Sequence, residues 1–145
     1  AVVMVDYLQL IESSIKREDQ NMRISEISRG LKRLAQTLNC PVIVPSQLSR
    51  GVESRRGSAK RPVMSDLRDS GAIEQDADII QFLYREDYYR DPMDPVDHQL
   101  EVITAKLRDG ETGSDYLKWD GAHALILEKD ETLQRQQLKQ TDEDF

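Results

Sequence analysis

Apolar residues open the chain as an unbroken run, and this run predicts a strand that is buried on both faces. It extends from Val2 to Val5 and leads directly into Asp6. Strands of parallel sheets have this composition because helices cover both faces of the sheet. Ligands of such sheets bind outside the carboxyl ends of the strands, which is where Asp6 stands. A carboxylate there can hold a nucleotide-bound magnesium ion, although an acid that merely ends a strand is common.

Apolar residues then recur at steps of three and four, which predicts an amphipathic helix from Asn21 to Leu38. Asn39 suits the end of this helix, and Pro41 prevents its continuation. A second short buried strand follows Pro41 and ends near Gln47. A strand, a helix and a strand of these lengths form a βαβ unit with parallel strands. The apolar stripe of the helix consists of Ile24, Ile27, Leu31, Leu34 and Leu38.

The second half of the chain predicts further strands. A third buried strand is expected over residues 79–84 and a fourth strand over residues 100–107. Two more strands, over residues 114–119 and 122–128, flank Asp120-Gly121, a strong hairpin signal. Alternation with period two places Thr104, Lys106 and Arg108 on one face if the fourth strand extends to Arg108. Taken by themselves, the two cations are better explained as a basic strand edge that discourages aggregation.

Two loop segments carry candidate chemistry. Residues 49–62 are basic and rich in glycine and serine, which suits either a solvated linker or contacts with phosphate. Residues 65–78 form a compact polar segment in which Gly71 suits a backbone turn or close approach to a ligand. The pattern therefore favours an α/β domain with polar segments between its elements.

The composition indicates one globular domain followed by an acidic tail. The 145 residues include 32% charged and 38% hydrophobic residues, with a formal net charge of -7. We expect a domain over residues 1–128 and a disordered acidic tail over residues 129–145. The charge balance excludes a uniformly basic nucleic-acid-binding protein, although the acid is concentrated in the last third of the chain.

Few residues suggest redox, metal or membrane chemistry. The only cysteine, Cys40, allows no internal disulfide, so a reducing compartment and a cytoplasmic location are expected. His98 and His123 have no partner at metal-ligand spacing. No apolar run has the length of a membrane span, and no signal peptide is present, so we expect no membrane partner. Because Ala1 is not an initiator methionine and no Gly-x-x-x-x-Gly-Lys-Ser/Thr loop occurs, we expect a longer parent protein.

Five segments, in their order and spacing, closely resemble the C-terminal ATPase domain of the DnaB-type replicative DNA helicases. The segments are VDYLQL at 5–10, SEISRGLKRLA at 25–35, SQLSR at 46–50, SDLRDSGAIEQDAD at 65–78 and AKLRDGETG at 105–113. The resemblance covers residues 1–128. It implies an α/β fold, namely part of a RecA-like P-loop ATPase core with parallel strands flanked by helices plus a C-terminal β-hairpin. It also implies a homo-hexameric ring that uses ATP and Mg²⁺ to unwind duplex DNA while moving along single-stranded DNA, with a primase and a helicase loader as partners.

The resemblance assigns roles residue by residue. It implies that Asp6 holds the magnesium ion of bound ATP and that Gln47 senses the terminal phosphate. A strand-end glutamine bonded to backbone is the alternative for Gln47. It also implies that Lys106 and Arg108 reach the ATP of the neighbouring subunit.

The same resemblance places a DNA contact in the polar segment. Arg68, Asp69 and Gly71 match the loop that contacts the DNA backbone inside the ring. Backbone amides and one arginine suffice for contacts that ignore base sequence. An acidic protein can bind DNA in this way because only the channel needs to be positive.

Some features depart from the family pattern, and two other functions stay open. AKLRDG stands where AKQRNG is more usual, and Asp69 replaces the more usual glutamate. The hairpin and the tail are less similar to the family. The alternatives are a recombinase-type ATPase on the same fold and a non-catalytic fragment that binds DNA or a partner. SDLRDSGAIEQDAD, which resembles the helicase loop, argues against the recombinase. We expect the isolated chain to be catalytically silent.

Overall fold

The computed structural model describes residues 1–14, 20–55, 60–67, 71–91, 93–94 and 96–128. The expected acidic tail, 129–145, lies outside these ranges. Two α-helices and six strands form the framework of the described ranges. They are β1 (Val3–Met4), α1 (Gln20–Leu38), β2 (Val42–Ile43), α2 (Gly71–Asp76), β3 (Ile79–Tyr84), β4 (Gln99–Leu107), β5 (Gly113–Asp120) and β6 (Leu125–Leu127).

β1 and β2 pair in parallel, and α1 connects them. Val3 lies opposite Val42 and Met4 opposite Ile43. Parallel neighbours need a crossover connection, which α1 provides. The predicted βαβ unit is therefore confirmed.

The other four strands form an antiparallel sheet in chain order. β3 pairs with β4, β4 with β5, and β5 with β6. The predicted C-terminal hairpin is present as β5 and β6. Residues 121–124 connect its two strands, and Ala124 adopts a φ of 53°.

α1 begins one residue earlier than predicted and ends at Leu38. Ile24 and Ile27 are buried and pack with Leu8, which lies in the turn after β1. Leu34 and Leu38, on the same stripe, are exposed. The predicted apolar face is thus buried only along the first half of the helix, because no described segment covers its last turns.

β1 is not buried on both faces, and β2 and β3 are not buried along their whole length, so these parts of the prediction are wrong. Met4 is 72% exposed and Leu83 is 63% exposed. Along β3 the side chains alternate between exposed and buried. The alternation follows because the described helices and loops cover one face of the antiparallel sheet and leave the other open.

The core lies on the covered face of this sheet. Its buried residues are Ile80, Phe82, Tyr84 and Ile103. Ile73 of α2 packs against this cluster and also against the cluster around Ile27. α2 therefore links α1 to the antiparallel sheet.

Gly71 does not form the turn that the sequence suggested. It is the first residue of α2, and a Cβ added there would meet no described atom within 4 Å. Helix formation from Gly71 onward uses ordinary helical backbone, so the position does not require the freedom of glycine. Across the described ranges, none of the helices combines the length and apolarity needed to cross a membrane.

Candidate functional site

The parallel pair brings Asp6 and Gln47 to the same end of one sheet. Asp6 lies two residues after β1, and Gln47 lies four residues after β2. The backbone ladder fixes this register, since Val5 N–H donates to Ile43 C=O at 3.0 Å and Leu8 N–H to Pro45 C=O at 2.9 Å. Both site side chains are exposed. They are therefore accessible to a ligand outside the carboxyl ends of the strands.

Gln9 ties the two strand ends together. Its Nε2 donates to the Ser46 hydroxyl at 3.2 Å and to the Gln47 carbonyl at 3.4 Å. Its Oε1 accepts from the Gln47 N–H at 3.3 Å. Gln9 therefore fixes the Gln47 backbone and leaves the Gln47 side chain to point elsewhere. Sequence reasoning missed this role, because the partners are 37 and 38 residues apart.

Asp6 is a single carboxylate and not part of a protein metal cage. Among the described residues, no group of three or more His, Cys, Asp or Glu side chains could hold a metal ion. Mg²⁺ is commonly bound by one or two carboxylates together with waters and substrate phosphates. The single Asp6 carboxylate therefore fits the magnesium of a bound nucleotide.

A β-bulge at Ala105 changes which residues of β4 share a face. Gln81 lies opposite Thr104, whereas Ile80 lies opposite Lys106, so Ala105 is the extra residue. Because Ile80 is buried and Gln81 is exposed, Lys106 lies on the covered face and Thr104 on the open one. The prediction that Thr104, Lys106 and Arg108 share a face is wrong, since simple alternation cannot include a bulge. β4 also ends at Leu107, before Arg108.

Lys106 and Arg108 nevertheless bind the same part of the structure, because both side chains contact carbonyl oxygens at the C-terminal end of α2. Lys106 Nζ lies 2.5 Å from the Glu74 carbonyl and 2.6 Å from the Ala77 carbonyl. Arg108 Nη2 donates to the Gln75 carbonyl at 3.1 Å. The last carbonyls of a helix lack partners within it, and cations satisfy them.

Asp78, two residues after α2, forms ion pairs with two cationic side chains. Arg108 Nε lies 3.1 Å from Oδ1, and Lys32 Nζ of α1 lies 2.5 Å from Oδ2. The Lys32 hydrogen bond, with the charges of Arg108 and Lys106, keeps the pKa of the Asp78 carboxyl below its usual value. The sequence contained no signal for this role beyond the acid itself.

Two arginines of the basic loop form ion pairs with buried acids. Arg55 pairs with Asp66, which is only 3% exposed and also accepts from the Val63 N–H at 2.8 Å. Burial opposes ionisation of Asp66, but the hydrogen bonds from Arg55 and Val63 prevail and lower its pKa. Arg61 pairs with Glu101 on β4. These two arginines anchor the described part of the loop to buried acids, and a phosphate-contacting role of the loop stays a prediction.

The predicted DNA-contacting residues are only partly described. Arg68 and Asp69 lie outside the described residues, and Gly71 begins α2. The segment therefore leads directly into the helix whose last turn holds Lys106 and Arg108.

A cavity of about 440 Å³ lies apart from these residues. Its lining includes Arg61, Glu101, Tyr84 and Tyr116 but neither Asp6 nor Gln47. The buried Tyr84 hydroxyl has no hydrogen-bond partner among the described residues. The cavity therefore lies beside the ion pair of Arg61 and Glu101 and not at the strand ends that carry the candidate site residues.

The fold, together with the comparisons with known proteins, places the chain among the α/β ATPase domains of the helicase class. Residues 1–127 match the family described as DnaB-like helicase C terminal domain. The chain belongs to this family.

Similar proteins extend the match. The chain is 53% identical over 114 residues to the replicative DNA helicase DnaC of Bacillus subtilis and 52% identical over 114 residues to the replicative DNA helicase DnaB of Geobacillus stearothermophilus. Each alignment covers 78% of this chain and 24% of the relative. The chain thus spans about a quarter of the length of these relatives.

Solved structures agree with the fold. A solved ATPase domain superposes with a TM-score of 0.81 at 47% identity, covering 89% of this chain and 44% of that one. A structure of a DnaB-like replicative helicase and its interactions with primase has the same TM-score and identity, and 31% of it is covered. At this identity the likeness concerns the amino-acid sequence as well as the topology.

Proposed function

We propose that this chain is part of an ATP-dependent replicative DNA helicase and supplies the carboxyl-terminal portion of its ATPase domain. Family membership and the identities of 53% and 52% to replicative helicases support this function. The structural observation that carries it is the parallel pairing of β1 with β2, which brings Asp6 and Gln47 to one edge. That edge is where an α/β sheet binds its ligand.

Asp6 and Gln47 have complementary roles in this proposal. The Asp6 carboxylate is a ligand for the Mg²⁺ of bound ATP, a cation that stabilises charge on the phosphates. Gln47 presents an uncharged amide that can donate to a phosphate oxygen and orient water. Gln9 fixes the Gln47 backbone, so the amide starts from a defined position.

Lys106 and Arg108 act on the neighbouring subunit in this proposal. A cation supplied in trans to the transferring phosphoryl group is worth about a thousandfold or more in rate. Both side chains are only partly buried, which leaves them able to reach across a subunit boundary. The proposal therefore requires a ring, and we take it to be a homo-hexamer.

The remaining partners follow from the same family. Single-stranded DNA would contact the segment containing Arg68, Asp69 and Gly71 through its phosphates, independently of base sequence. The structural relative solved to show its interactions with primase supports primase as a partner, and a helicase loader belongs to the same proposal. The free thiol of Cys40 is compatible with the reducing cytoplasm.

A reconstituted helicase tests the proposed function. It consists of this chain completed with the remaining part of the Bacillus subtilis relative, and the measurement is ATP hydrolysis stimulated by single-stranded DNA. Asp6→Asn should reduce turnover by at least about a hundredfold, because charge stabilisation at the phosphates is lost. Glu12→Gln, an exposed acid in the following loop, is the matched control and should stay within twofold. Equal turnover of the Asp6→Asn and unmodified proteins would contradict the proposal.

A further inference from the structure

The carbonyl groups at the C-terminal end of α2 and the Asp78 side chain bind two cationic side chains of the same chain. Lys106 lies within hydrogen-bond distance of the Glu74 and Ala77 carbonyls, and Arg108 contacts Gln75 and Asp78. The Arg108 N–H also donates to the Asp78 carbonyl at 2.9 Å. Arg108 is therefore joined to Asp78 through both its main chain and its side chain.

The pairing of Asp78 is too exposed to be important mainly for stability. About half of each side chain, Asp78 and Arg108, is accessible to solvent. Exposed ion pairs contribute little to folding because water and salt screen them. Their geometric effect is larger, since an arginine side chain has many rotamers and a fixed partner selects among them.

Lys32 gives Asp78 its own fixed position. It approaches Oδ2 from α1, while Arg108 occupies Oδ1, so the two carboxylate oxygens serve different elements. α1 and α2 are also packed together through Ile73, which contacts the cluster around Ile27. The position of the Asp78 carboxylate therefore depends on both helices. Because the carboxylate binds Arg108, it also determines where the Arg108 guanidinium lies.

We propose that Asp78 is a positioning residue that orients Arg108 for its action on the neighbouring subunit's nucleotide and links that orientation to α2. This inference rests on the proposed function, which assigns Arg108 to the neighbouring site. α2 begins at Gly71, inside the segment proposed to contact DNA. A displacement of α2 on DNA binding would move the Asp78 carboxylate and the Gln75 carbonyl together, and both hold Arg108.

The reconstituted helicase also tests this inference. Asp78→Ala should lower kcat about tenfold and leave KM for ATP within twofold, because an unpositioned arginine weakens the transition state more than the ground state. Asp109→Ala is the matched control: it removes an exposed acid next to Arg108 and should keep kcat within twofold. Asp78→Glu, which restores the charge, should recover part of the lost kcat.

A structural readout separates positioning from general damage. NMR can measure hydrogen exchange of the Arg108 Nε–H group in the 145-residue chain. Asp78→Ala should remove the protection that the ion pair is expected to give this group. The amide signals of β4 should stay in place. If Asp78→Ala rings do not assemble, Asp78→Asn, which keeps the side-chain volume, is used in place of Asp78→Ala. The same changes in kcat and KM are then expected.

The outcomes distinguish this inference from the proposed function. If Arg108→Ala abolishes turnover while Asp78→Ala, or Asp78→Asn in its place, keeps kcat within twofold, the positioning role is wrong and the helicase assignment stands. A rise in KM equal to the fall in kcat/KM, with kcat unchanged, also overturns the positioning role. If Arg108→Ala itself turns over normally, the shared site of the proposed function fails, and the inference fails with it.

Discussion

Arg61 holds Glu101 in a two-pronged ion pair, with Nη2 2.6 Å from Oε1 and Nε 3.0 Å from Oε2. Glu101 is only 7% exposed and lies on β4, beside the buried Tyr84. The Arg61 guanidinium also donates to the Ser114 hydroxyl at 3.0 Å, so the pair connects the basic loop to two strands. A buried carboxylate needs such partners because desolvation would otherwise disfavour its charge.

Glu101→Gln should destabilise the chain at neutral pH by about 1–3 kcal/mol. The amide leaves the partly buried Arg61 charge without its counter-ion, and the exposure of Arg61 keeps the loss below that of a fully buried pair. Urea unfolding of the 145-residue chain measures the difference. Glu111→Gln, in an exposed turn, is the control and should change stability by no more than about 0.5 kcal/mol. Equal losses in the two variants would contradict the assigned role of the pair.

The same pair should make stability depend on pH in the acid range. Hydrogen bonds from Arg61 keep the pKa of the Glu101 carboxyl below its ordinary value of 4.5. The unfolded chain therefore takes up this proton first, so the contribution is fully present above pH 4.5 and decreases as pH falls through the lowered folded value. The difference in unfolding free energy between the unmodified chain and Glu101→Gln should be flat above that pH and shrink below it. A difference that grows on acidification would exclude this linkage.

Gly110→Ala should destabilise the turn after β4. A Cβ there would lie 2.5 Å from Leu107 Cδ2 and 3.0 Å from Leu107 Cγ, so the Leu107 side chain must move. The expected cost is about 1 kcal/mol, that of an off-rotamer side chain, because the contacted atoms belong to the partly exposed Leu107 side chain. Gly113→Ala is the matched control, because a Cβ there meets nothing within 4 Å. Thermal unfolding of the two variants should rank Gly110→Ala clearly lower, and similar midpoints would show that Leu107 adapts without cost.

Mixed rings should show whether Asp6 and Arg108 complete one site from two subunits. Each variant, Asp6→Asn or Arg108→Ala, should inactivate a ring made from it alone, and Arg108→Ala should leave ATP binding largely intact. Mixing the two subunits creates interfaces with one intact carboxylate and one intact arginine. ATP turnover of the mixture should exceed that of either ring, because the cation is supplied in trans. Near-normal turnover of Arg108→Ala rings would refute the shared site outright.

The sequence predicted the elements better than their environment. The three-and-four spacing of Ile24 and Ile27 located α1 within one residue, since periodicity is a local property. The burial predicted for β3 was wrong on one face of the strand, because composition cannot show which neighbours cover it. The bulge at Ala105 depends on the pairing of β4 with Ile80 and Gln81, and no local signal marks it.

The residues of the candidate site were predicted from motifs. The residues that hold them in place were not predicted. Asp6, Gln47, Lys106 and Arg108 were assigned through the resemblance of short segments to a family. The contacts of Gln9 with Ser46 and Gln47, and of Asp78 with Lys32, join residues 37–46 positions apart. Such pairs arise only after the chain has folded, so reasoning along the sequence has no access to them.

The bulge in β4 also sets which genetic changes this strand tolerates. Substitution of Ala105 alters one side chain, whereas deletion of that single codon would restore strict alternation after Thr104. Lys106 would then follow Thr104 directly and still lie opposite Ile80, on the covered face where it meets the carbonyls of Glu74 and Ala77. In a lineage of such proteins, loss of Ala105 alone would therefore straighten the strand and leave this cation on its present face.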